Sequence, residues 1–78
     1  MNTDNQLTAA HILTQLQLRV SRSNAKLLLD SAKIQTGIMV ENEAILDKDQ
    51  AKTLLIKLIN QGGPSFQVGQ AIYKQYLM

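Results

Sequence analysis

Arg22, Lys26 and Lys33 are separated by four and seven residues, and Arg19 precedes them by three. At about 100° per residue this spacing sends the three side chains out of nearly one side of a helix, with Arg19 at the turn before it. Cations in such a line suit the phosphates of RNA or DNA. The same line also describes a solvated helix face: Asp30 lies close to it and dilutes it, and no aromatic residue interleaves to stack a base.

Other reactive groups stand alone. His11 is the single histidine and cysteine is absent. Neither a zinc set nor a nucleophile with its base is available around it, and a partly exposed helix histidine is expected. Glu41, Asn42, Glu43, Asp47 and Asp49 form an oxygen-rich run, but the alternating ligands, central glycine and closing glutamate of a calcium loop are missing. Gly62-Gly63-Pro64-Ser65 offers backbone N–H groups at a helix start, yet no lysine follows at phosphate-loop spacing. These readings imply no enzyme, no cofactor and no metal.

At 78 residues, one core only just offsets the entropy of ordering the chain. Without cysteine to staple it, stability has to come from packing or oligomerisation. The formal charge of +2 is small for a polyanion-binding protein but unevenly spread. Residues 1–39 hold Arg19, Arg22, Lys26 and Lys33 against Asp4 and Asp30, whereas the remainder balances four lysines against four acids. No secretory pattern and no apolar run of membrane-spanning length occurs, so a cytoplasmic protein without membrane contact is expected.

Four helical segments position these groups. Thr3-Asp4-Asn5-Gln6 has capping-box spacing and predicts a first helix running to about Leu18, with Ala9, Ile12, Leu13 and Leu16 on its apolar stripe. Ser21 or Ser23 caps a second helix, whose Ala25, Leu28, Leu29 and Ala32 share a face. Leu27 points away from that stripe and is expected at the surface. Residues 34–46 contain strand-friendly Ile34, Ile38, Met39, Val40, Ile45 and Leu46 in poor alternation, which admits a short extended segment or a hairpin. Asp47 with Gln50 predicts a capped third helix carrying Ala51, Leu54, Leu55, Leu58 and Ile59. Gly62-Gly63-Pro64 ends it, and Ser65 is expected to cap a fourth through Val68, Ala71, Ile72 and Tyr76. Gly69 inside that helix either permits a close helix contact or marks a break.

The second and third helices repeat each other. Ser21–Gly37 lies over Asp47–Gly63 without a gap, and six of the seventeen pairs are identical. Each copy has a polar start, an A-K-x-L-L helix and a glycine beyond it.

Ser21-Arg22-Ser23, Ala25, Lys26 and Leu28-Leu29 match the core of a motif in the small αL RNA-binding domain, so that residues from about Thr8 to Gly37 resemble that family. The domain occurs in a small-subunit ribosomal protein, some pseudouridine synthases and bacterial tyrosyl-tRNA synthetases. The resemblance implies RNA contact through Arg22 and Lys26, with Ile34 on the first strand of a hairpin. Thr36-Gly37-Ile38 stands where the family has its asparagine-glycine turn, and Lys48–Met78 has no counterpart. A second likeness, through NAKLLLDSA and DKDQAKTLLIKLINQGG, is to the C-terminal domain of the bacterial ribosomal stalk protein and implies a protein-docking surface.

The expectation is therefore a mainly α, compact four-helix single domain that binds rather than catalyses. RNA or DNA would be held by Arg19, Arg22, Lys26 and Lys33. The alternative is a protein-interaction adaptor or inhibitor in which Leu27 meets a protein partner or a second copy in a homodimer.

Overall fold

The computed structural model describes residues 6–77. In chain order the elements are β1 (Leu7–Thr8), α1 (Ala9–Gln17), α2 (Arg22–Thr36), β2 (Ile45–Leu46), α3 (Lys48–Gln61) and α4 (Gly63–Leu77). The mainly helical, four-helix architecture matches the one expected from the sequence. The Thr3–Gln6 capping box lies largely outside the described residues, and α1 is capped instead by Thr8, whose Oγ1 accepts from the His11 N–H at 3.1 Å.

The local chemistry of α2 and α3 accounts for their limits. Ser21 Oγ accepts from the Asn24 N–H at the start of α2. Gly37, at φ 74°, ends that helix in a left-handed turn where Ile38 N–H donates to the Lys33 carbonyl. That conformation strains any residue with a Cβ. At α3, Asp47 Oδ1 accepts from Gln50 N–H while Gln50 Oε1 accepts from Asp47 N–H, a complete capping box.

The strand-friendly stretch does not form a hairpin. Helix α2 continues through Ile34 to Thr36, which removes Ile34 from any strand. Ile45 and Leu46 pair antiparallel with Thr8 and Leu7, a partner far away in sequence. Two residues per strand leave no alternation to read.

The core collects Leu7, Ala9, Ile12 and Leu16, then Ala25, Leu29 and Ala32, then Leu54, Leu55 and Leu58, with Val68 and Ile72 from α4. Helix α3 is the central element, packed against α2, α4 and β2. Gly69 resolves to close contact rather than a break: a Cβ there would stand 3.0 Å from Ile59 Cγ1 and 3.1 Å from the Leu55 carbonyl oxygen.

Ser65 departs from its expected role. Helix α4 already begins at Gly63, the Gly62 carbonyl accepts from Phe66 N–H, and the Ser65 side chain is fully buried. Among the described residues its Oγ meets no partner. A buried hydroxyl without a hydrogen bond costs about 1–3 kcal/mol. Ser65→Ala should thus leave stability unchanged or raise it by up to about 1 kcal/mol in urea melts, where losing a helix cap would lower it by about 0.5–2 kcal/mol.

Candidate functional site

The four basic side chains do not form a line of cations. Lys33 is only 9 % exposed. Its Nζ donates to the Val40 carbonyl at 3.1 Å and to Asn42 Oδ1 at 2.6 Å. Although Lys33 shares a helix angle with Lys26, the segment after Gly37 folds back over the end of α2 and takes up its ammonium. Asn42 in turn accepts through its carbonyl from Ala10 N–H, tying that segment to α1. The lysine expected to meet phosphate is instead an internal clasp, and this corrects its place in the phosphate-binding set.

The remaining three are exposed but differently engaged. Lys26 pairs with Asp30 at 2.9 Å, an exposed contact between residues four apart, worth about 0.3–0.5 kcal/mol. Arg19 Nη1 donates to Gln67 Oε1 of α4 at 2.7 Å. Among the described residues, Arg22 makes neither an ion pair nor a side-chain hydrogen bond.

His11 packs its ring edge-on against Tyr76, with centroids 5.9 Å apart. Among the described residues no three His, Cys, Asp or Glu side chains gather as a metal set. No described helix is long and apolar enough to cross a membrane.

The side of α2 away from the core exposes two large apolar residues among polar ones. Leu27 is 66 % exposed, as its position off the core stripe predicts, and Ile34 is 68 % exposed. Seven residues separate them, which places both on one line of the helix. Met39, 73 % exposed, lines a recess with Ile34, Val40, Asp30 and Lys33. Along the other flank runs an open groove of about 540 Å³, lined by Val20, Asn24, Leu27, Leu28, Ser31, Gln35, Gln61 and Pro64. Its α2 wall repeats at intervals of three and four residues, so α2 presents a second helical face beside the one that enters the core. Every side chain in the groove is uncharged.

Leu27 was identifiable from the sequence because it falls opposite the core stripe. Ile34 was not, since a β-branched residue at the head of a strand-friendly run suits a strand as well as a helix. Its seven-residue interval from Leu27 was the available signal. The groove itself has no local signature, because its far wall is supplied by the turn between α3 and α4. Comparison of the chain with protein-family models, curated proteins and solved structures gives no match.

Proposed function

We propose that this chain is a non-catalytic protein-interaction module that docks a partner along the outer face of α2. The observation that carries the reading is the pair Leu27 and Ile34, two-thirds exposed on one line of a helix whose opposite side is core. Single exposed apolar residues are ordinary, but a helical line of them bordering an uncharged groove has the composition of a helix-docking surface. Desolvating Leu27 and Ile34 is favourable, and Asp30, the charge that borders Ile34, is already paired with Lys26.

The test compares wild-type protein with a Leu27→Asp, Ile34→Asp variant, each immobilised and exposed to nuclease-treated lysate from the source. The wild type should retain a protein that the variant loses, while circular dichroism and thermal midpoint stay matched. Equal retention by both, or none by either, would remove the docking reading. The milder Leu27→Ala should change unfolding free energy by no more than about 0.5 kcal/mol, as expected for an exposed site.

Nucleic-acid binding is a second reading, favoured by the exposure of Arg19, Arg22 and Lys26 around the first turns of α2. The helix start adds a partial positive charge there. It predicts retention on RNA or DNA at low salt, falling steeply as salt rises and abolished by Arg22→Glu with Lys26→Glu. Absence of binding at low salt would leave the protein-docking reading alone.

A further inference from the structure

We infer that residues 39–44 form a strap that lifts away as a unit while the four helices stay folded, and that the Lys33 ammonium is its latch. The chain is anchored in the core on either side of the strap. Ile38 is buried and its N–H donates to the Lys33 carbonyl, while Leu46 is buried and pairs with Leu7. Between these anchors no residue is fully buried: Val40, Asn42 and Ala44 are half-buried, and Met39, Glu41 and Glu43 are exposed. Lifting the strap therefore withdraws Val40 from the edge of the core and none of the residues inside it.

The hydrogen bonds that fasten the strap to the helices converge on its inner side. Lys33 Nζ donates to the Val40 carbonyl at 3.1 Å and to Asn42 Oδ1 at 2.6 Å, and Ala10 N–H donates to the Asn42 carbonyl at 2.8 Å. Ala10 lies in the first turn of α1, where an N–H has no acceptor within its own helix. Asn42 thus serves a cation with its side chain and an orphan helix donor with its backbone.

A buried cation makes this latch releasable. Closing the strap leaves Lys33 only 9 % exposed. Among the described residues its ammonium meets neutral acceptors alone, since the ion pair there is Lys26 with Asp30. Neutral oxygens offset less of the cost of withdrawing an ammonium from water than a carboxylate does. Opening restores that hydration, which brings the open state closer in free energy to the closed one than the unfolded chain is.

Opening also changes the surface. Met39 and Val40 form the strap's wall of the recess that Asp30, Lys33 and Ile34 complete. Lifting the strap dissolves the recess and releases the Lys33 cation and the Ala10 N–H to solvent. The groove on the other flank of α2 has no strap residue in its lining, so this motion stands apart from the docking reading.

Two readouts on the full chain test the strap: hydrogen exchange of the Ala10 N–H by NMR, and brief acylation of Lys33 by an N-hydroxysuccinimide ester, read by mass spectrometry. In wild type Ala10 should be about tenfold or more less protected than the α3 amides of Leu54, Leu55 and Leu58, with a shallower urea dependence because little surface is exposed. Lys33 should label more slowly than exposed Lys48 and Lys52, with the urea dependence of Ala10. Asn42→Ala should speed both processes about tenfold or more, because the buried ammonium is left short of an acceptor. Asn42→Asp should slow both by supplying a carboxylate. In a Lys33→Met background that substitution should no longer slow Ala10 exchange. Ala10 and the α3 amides sharing one protection and one urea slope would overturn the strap, since global unfolding alone would then open it. Lys33 labelling as fast as Lys48, or unequal responses of Ala10 and Lys33 to the Asn42 variants, would overturn the latch.

Discussion

Truncating Leu55 to alanine should remove about 2–5 kcal/mol of stability, the cost of lost burial plus a cavity that cannot collapse. A chain of 78 residues has roughly 4–12 kcal/mol in total at typical values per residue. The variant should therefore sit near, or beyond, its unfolding threshold at room temperature. Leu55 is completely buried on α3, and that helix is held by α2, α4 and β2. With neighbours on several sides, no surface layer is free to move inward and fill the gap. Urea unfolding followed by circular dichroism should show a lower midpoint with an unchanged slope. Leu27→Ala removes the same atoms from the neighbouring helix and serves as the control. A Leu55→Ala midpoint as little changed as that of Leu27→Ala would mean that α3 is not the centre of the core.

The contrast between those two leucines marks what local pattern reveals in this chain. Leu55 and Leu29 occupy equivalent places in the internal repeat and both are buried. Leu54 and Leu28 are also equivalent, yet Leu54 is buried and Leu28 only partly so. Helix α3 lies between α2 and α4, whereas α2 keeps one flank open. Similar letters therefore encode similar capped helices but not similar surroundings. Caps were legible for the same reason: Ser21 and the Asp47/Gln50 pair act within one helical turn.

Features that depend on distant chain segments were not legible. The pairing of Leu7 with Leu46 joins two segments too short to carry a strand period. Lys33 has the sequence spacing of a surface lysine, and only the fold-back of Val40 and Asn42 turns its ammonium inward. Ser65 follows Gly-Gly-Pro as a capping residue does. The glycines, at φ 78° and 58°, nevertheless let α4 start early enough to carry its hydroxyl into the interior. The exposed face of α2 was half legible on the same principle. Leu27 is defined by its own helix, and the groove beside it by the turn between α3 and α4.

Gly69→Val should destabilise the protein at the upper end of, or beyond, the roughly 1–3 kcal/mol typical of an overpacked core. Glycine in a helix interior ordinarily costs roughly 1 kcal/mol against alanine, so an open site would gain from replacement. Here even a Cβ would stand 3.0 Å from Ile59 Cγ1, 3.1 Å from Leu55 O and 3.2 Å from Ile59 N. The first of these atoms can swing aside, but the other two belong to the α3 backbone. Relief would require the two helices to separate, which would loosen Val68 and Ile72 from the core cluster they share with α3. Branching at valine brings further atoms to the same contact and restricts the rotamers available to avoid it. Gly69→Ala should fall between wild type and Gly69→Val, its helix-propensity gain set against the tight contact. Thermal or urea unfolding of the three proteins distinguishes the alternatives: a rank order in which alanine is most stable and valine equals glycine would show that α3 and α4 do not approach so closely at Gly69. The predicted order, glycine above alanine above valine, would establish that the absence of a Cβ sets the spacing of the two helices.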